Sequence, residues 1–199
     1  MRTSVLQSTS ANTHNTLTLF LFRQLGENKS QTERSQLRGV NGALQWLATQ
    51  SNPKVSAELS LSQSKVNSAT VQDLLDANKL LQRTKADNNV DILIKHVDPD
   101  SLGVVTWGDA VCANRPDGSS TGGVFVGIAN IKELENGNLS HINLVSWKTN
   151  KLKRKSRSST AAEIQAISDA EDESYFVRVM LASFLGYSVT REDRDETLK

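Results

Sequence analysis

Val104-Val-Thr-Trp-Gly-Asp109, Gly122-Gly-Val-Phe-Val-Gly-Ile-Ala129 and His141-Ile-Asn-Leu-Val-Ser-Trp147 follow one another and lead into the long segment Thr160 to Leu185. The first three are short, rich in β-branched and aromatic residues, and separated by Asp-Gly, Gly-Gly and Asn-Gly pairs, which reads as strands joined by turns. The fourth has a helical pattern, with an acidic run from Asp169 to Glu173 as the place where it would break and Gly186 as its C-terminal stop. Consecutive strands followed by a long helix predict an α+β fold, a mainly antiparallel sheet with a helix on one face. Just upstream, Val90-Asp-Ile-Leu-Ile-Lys-His-Val97 reads as a further, mostly apolar strand, and the polar Ala86-Asp-Asn-Asn89 before it as a boundary.

The residues before that boundary carry a helical period. Between Gln31 and Gln50, Leu37, Val40, Leu44 and Leu47 recur at spacings of three and four, weakened by Gly39 and Gly42. Pro53 ends this segment or opens the next. Val55, Leu59 and Leu61 suggest a short helix, and Val71, Leu74, Leu75, Asn78, Leu81 and Gln82 another amphipathic one, with Ser68 as its cap. The chain thus divides into a polar, flexible leader (1–32), a helical connection segment (33–86), the sheet-and-helix unit (88–189) and a polar tail (190–199).

The chain has 199 residues, 37% hydrophobic and 23% charged, with 11 Gly and 3 Pro. That composition fits a globular domain and excludes collagen-like or wholly disordered classes. Its 23 Lys and Arg balance 22 Asp and Glu, so any affinity for nucleic acid must come from a local patch. Cys112 is the single cysteine and cannot form an internal disulfide, which fits a reducing compartment. His14, His96 and His141 are scattered without metal-site spacing. The apolar run Leu17 to Phe22 is too short to span a bilayer and the first 16 residues lack a secretory pattern. The expectation is an intracellular protein with no membrane partner.

Two carboxylates stand out. Asp109 ends an apolar strand, where a half-buried charge needs a partner or a cation. Glu163 opens the helix expected to cover the sheet, and hard carboxylate oxygens from two such elements suit Mg²⁺. The alternatives are structural: Thr160-Ala-Ala-Glu163 is also a helix capping box, and a strand-end aspartate is often a turn former. Lys148, Lys151, Lys153, Arg154, Lys155 and Arg157 form the one marked charge cluster. In a loop leading to a helix N-terminus they are candidates for gripping a nucleic-acid backbone, against the alternative of a solvated loop. Trp107 and Trp147, in apolar runs, are expected in the core rather than as stacking platforms. Gly122-Gly123 lacks the lysine and spacing of a P-loop, Cys112 has no nearby His, and Asp169 to Glu173 reads as an exposed helix face.

Asp109, then Arg115-Pro-Asp-Gly-Ser-Ser-Thr-Gly122, then Val145-Ser-Trp-Lys148, then Ser158-Ser-Thr-Ala-Ala-Glu163 resembles the ribonuclease H region of copia-type retrotransposon Pol polyproteins. Glu173, Phe176, Arg178, Leu181 and Gly186 are similar to that family's helix continuation. Upstream, Leu37-Arg-Gly-Val-Asn-Gly-Ala-Leu-Gln-Trp-Leu47 and the Val71 to Arg83 segment look like the end of the reverse transcriptase module and its connection. One departure is Gly122-Gly123 in place of the usual Ser-Gly turn.

The resemblance implies a ribonuclease H-like fold, incomplete here. It implies a parent activity that hydrolyses the RNA strand of RNA–DNA hybrids with Mg²⁺ or Mn²⁺. It also implies Asp109 and Glu163 as catalytic metal ligands, and the hybrid and the rest of the polyprotein as partners. Two-metal hydrolysis holds ions about 4 Å apart with carboxylates on both. The family's later ligands have no counterpart here, since Asp193 and Asp195 sit in a polar run rather than an apolar strand. The expectation is a chain inactive by itself. The competing readings are a non-catalytic nucleic-acid-binding or scaffolding remnant using residues 148–157, and an unrelated α+β interaction module.

Overall fold

The computed structural model describes residues 31–87 and 91–187; most of the leader and the tail lie outside the described residues, as does His14. Helix α1, Gln31–Gln50, buries Leu37, Val40, Leu44 and Ala48. Leu47, predicted for that stripe, is only half-buried, because a fourth turn at spacing four brings Ala48 onto the buried line instead. One 3₁₀ turn, Pro53–Val55, leads into α2, Ser56–Ser64, and α3 spans Val71–Ala86. Thr70, not the predicted Ser68, caps α3. Its extended backbone lets Oγ1 accept from the Asp73 amide at 3.4 Å while the Asp73 carboxylate accepts the Thr70 amide at 2.6 Å, a reciprocal capping box. Burial opposes ionisation of Asp73, but the Thr70 donors and Lys65 outweigh it and hold its pKa below the usual value. Leu37, Leu44, Leu59 and Leu81 meet at the centre of this three-helix core.

Three strands follow: β1, Leu102–Val111; β2, Thr121–Asn130; and β3, Asn143–Lys151, antiparallel in the order β1-β2-β3. The short α4, Ile131–Glu135, sits between β2 and β3. Among the described residues the strand predicted at 90–97 does not form: residues 91–98 have no regular structure, and Val90 lies outside the described residues. The Asn143 side-chain amide accepts from the Lys95 N–H and donates to the Lys95 carbonyl, both at 2.7 Å, and the His141 ring lies 3.0 Å from the Leu93 carbonyl. Side chains thus occupy backbone groups that a ladder would have used, and Leu93 and Ile94 stay exposed.

Helix α5, Ser159–Phe184, runs unbroken through the acidic segment where a break was expected. It ends at Gly186, whose φ of +85° is the left-handed cap glycine tolerates. α5 packs on β1 and β2, more over β1. A Cβ built on Gly108 would strike Ala166 and Ala170, and one on Gly122 would strike Leu152, with Ala166 next nearest. Gly108, Ala110, Gly122, Val124 and Val126 therefore face α5, and alternation turns Trp107, Asp109 and Phe125 to the opposite face. The helical half meets the sheet from that opposite face. Trp147, paired in register with Phe125, donates its Nε1 proton to the Ala48 carbonyl at 2.6 Å.

Candidate functional site

Asp109 lies on β1 opposite Gly123, exposed, with Oδ1 accepting the amide proton of its neighbour Ala110 at 2.8 Å. Glu163 is half-buried on the first turns of α5, one turn before the residue that touches Gly108. The two thus sit at the same end of the β1–α5 layer. Asp109 nevertheless leaves its strand on the face away from α5, and no hydrogen bond or shared cation partner joins the two carboxylates. Among the described residues no group of three or more His, Cys, Asp and Glu could hold a metal ion.

The capping-box reading of Glu163 also changes. The N-cap is Ser158, whose hydroxyl accepts from the Ala161 amide at 3.2 Å, so the box position falls on Ala161 and Glu163 is left out of it. Trp107 is 50% exposed rather than core, stacked edge-on against Phe125 with ring centroids 5.4 Å apart; Trp147 is half-buried.

The basic cluster divides in two. Lys148 and Lys151 belong to β3 rather than to the loop. Lys148 reaches across to the Glu173 carboxylate at 2.6 Å, and Lys151 pairs with Asp117. Glu173 also accepts from the Ser146 hydroxyl at 2.5 Å, and these two donors, Lys148 first, hold its pKa below the usual carboxylate range against its partial burial. Asp117 is pulled down likewise by Lys151 and Ser119. Glu173 is thus a bonded, half-buried group and not part of an exposed acidic face. Lys153, Arg154, Lys155 and Arg157, by contrast, are exposed, and among the described residues their side chains make no ion pair or hydrogen bond.

Gln165 fixes the backbone beneath these four. Its Oε1 accepts the Arg154 amide at 3.2 Å, and its Nε2 donates to the Ser156 hydroxyl at 2.8 Å. Leu152, 2% exposed, anchors the near end of the loop, its amide bonded to the Ser120 carbonyl at 3.0 Å. The four cations thus project from a segment held at both ends. Nothing local in the sequence marks Gln165 for this task; an i, i+4 walk from Ala161 would place it on the flank facing the loop.

Comparison of the chain with protein-family models, with curated proteins and with solved structures finds no match. No described helix is long and apolar enough to cross a membrane.

Proposed function

We propose that this chain is a non-cleaving nucleic-acid-binding unit that grips the phosphate backbone through Lys153, Arg154, Lys155 and Arg157. Its motifs suggest descent from the ribonuclease H region of a copia-type Pol polyprotein. The observation that carries the reading is the division of the basic cluster: the two cations on β3 are neutralised by carboxylates, while the four in the clamped loop have none. Unpaired cations held in place lose counterions to a polyanion without first breaking internal ion pairs. The α5 N-terminus beside them adds a favourable field for phosphate.

The parent activity belongs to the same reading only as ancestry. In a complete ribonuclease H-like form, Asp109 and Glu163 would contribute part of the Mg²⁺ or Mn²⁺ ligand set for hydrolysing the RNA strand of a hybrid. The antiparallel β1-β2-β3 order followed by α5, with both carboxylates at one end of that layer, supports this.

Titrating labelled RNA–DNA hybrid with the full chain across a salt series tests the binding. Replacing Lys153, Arg154 and Lys155 with Ala should flatten the slope of log affinity against log salt by about 2 to 3. An unchanged slope would move the binding surface elsewhere. In the same samples, added Mg²⁺ or Mn²⁺ should give no cleavage above background; cleavage abolished by Asp109→Asn would overturn the non-cleaving assignment.

A further inference from the structure

The two edges of the sheet are unlike. Along β3, the free edge is managed: Ile92 to Val97 runs beside it, tethered through Asn143 and His141, the register is broken by an irregularity at Val126/Gly127, and Lys148 and Lys151 place charge on the strand. These are the usual devices that keep a strand edge from pairing with another chain. β1 has only one of them, the exposed Asp109. Its ten residues, Leu-Gly-Val-Val-Thr-Trp-Gly-Asp-Ala-Val, contain one charge, no proline and no register break, and among the described residues no strand pairs with its outer side.

What flanks that edge includes exposed apolar side chains on both faces, among charged ones. On the face away from α5, Trp107 is 50% and Val111 55% exposed. On the other, α5 turns one flank toward β3, as the bonds of Gln165 to the loop and of Glu173 to Ser146 and Lys148 show. The opposite flank, Glu163, Ile167, Glu171 and Arg178 at helical spacing, therefore overhangs the β1 edge. Ile167 is 58% exposed, and Arg178 is bonded through Nη2 to Glu171 on the same flank at 2.6 Å.

We propose that β1 is a self-association edge, on which a second copy of this chain adds its own β1 antiparallel to form a continuous six-stranded sheet. An antiparallel edge is self-complementary under a two-fold axis, so the same unsatisfied groups pair in both directions and the assembly closes as a dimer. The helices fit this arrangement. Strands lie about 4.8 Å apart, so two α5 helices, each seated between its β1 and β2, would run about 10 Å apart. That is close to the spacing of packed helices, about 8–10 Å. The antiparallel alignment carries the Arg178–Glu171 pair of one copy toward the Glu163 end of the other, with Ile167 of both copies between the helices. A peptide of another protein would satisfy the strand but not supply this second helix.

The test uses the full chain in sedimentation over a concentration series, together with amide exchange across residues 102–111. Wild type should reach a dimer, with β1 amides becoming more protected as concentration rises. Trp107→Lys and Ile167→Arg, both at exposed positions on opposite sides of the edge, should each raise the dissociation constant at least about tenfold, equivalent to about 1.4 kcal/mol. Ile164→Arg, equally exposed but on the outer side of α5, should not. A monomer at every concentration, species growing beyond a dimer, or a dimer indifferent to both edge variants would overturn the proposal. So would a monomer whose β1 amides are already protected, which would mean that the chain covers its own edge.

Discussion

A Cβ on Gly108 would lie 2.8 Å from the Ala166 carbonyl oxygen and 3.0 Å from the Ala170 Cβ, atoms of a helix that cannot swing aside. On Gly122 the nearest atom would be the Leu152 Cδ2 at 2.5 Å, the far end of a side chain that has other rotamers. Gly108→Ala should therefore cost about 1–3 kcal/mol by overpacking, and Gly122→Ala distinctly less. Urea denaturation of both variants checks the order, and equal losses would show that α5 yields as readily as Leu152. The same contact explains why Asp109 could be found in the sequence but not oriented. Strand alternation separates Asp109 from Gly108 without saying which of them meets the helix. That is decided by the small-residue line Ala162, Ala166 and Ala170, more than 50 positions away, which lets α5 approach only where glycine leaves room.

The elements were legible in proportion to how far local signals alone determine them. α1 matches the predicted bounds, its apolar period running over about three turns from Leu37 to Ala48. β1 and β2 extend beyond the predicted runs at both ends, and β3 starts two residues later than predicted but runs on to Lys151, because pairing continues past the last apolar residue wherever a partner strand is present. Residues 90–97 failed for the complementary reason: the apolar pattern was there, but Asn143 and His141 took the backbone groups first. The β3–α5 bond set was invisible in sequence, since Ser146, Lys148 and Glu173 are brought together only by the crossing of a strand and a helix. Its consequence is a pH dependence. The Glu173 pKa is lowered in the folded chain from an ordinary value of 4.5, so its stabilising contribution is present above that value and is lost as pH falls through the lower folded one. Glu173→Gln should lower the melting temperature at neutral pH and shrink the difference from wild type below about pH 4. A gap between the two that stays constant down to pH 2 would place the acid sensitivity elsewhere, in Asp73 or Asp117.

At the scale of the whole molecule, the helical segment and the sheet unit each have a core of their own and are joined by polar links. Arg115, on the turn between β1 and β2, is 7% exposed and donates Nη2 to the Ser60 hydroxyl at 2.6 Å, Nη1 to the Ser60 carbonyl at 3.3 Å and Nε to Thr121 Oγ1 at 3.0 Å. Burial lowers its pKa and Asp117 nearby opposes that, so the guanidinium stays charged within a largely neutral set of acceptors. With Trp147 bonded to Ala48, this gives α1, α2, β2 and β3 polar links that neither half can satisfy alone. The chain should consequently unfold in one transition. In a Trp46→Phe background, fluorescence reports Trp107 and Trp147 in the sheet, while far-ultraviolet circular dichroism follows the helices, α1 to α3 prominent among them. The two melting curves should coincide. Arg115→Met leaves the Ser60 and Thr121 groups without their donor and should cost about 1–3 kcal/mol. Because that loss falls on the junction rather than on either core, it should also separate the two curves. Curves that stay superimposed in Arg115→Met would show that apolar contact between α2 and β3, not the buried guanidinium, makes the two halves one cooperative unit.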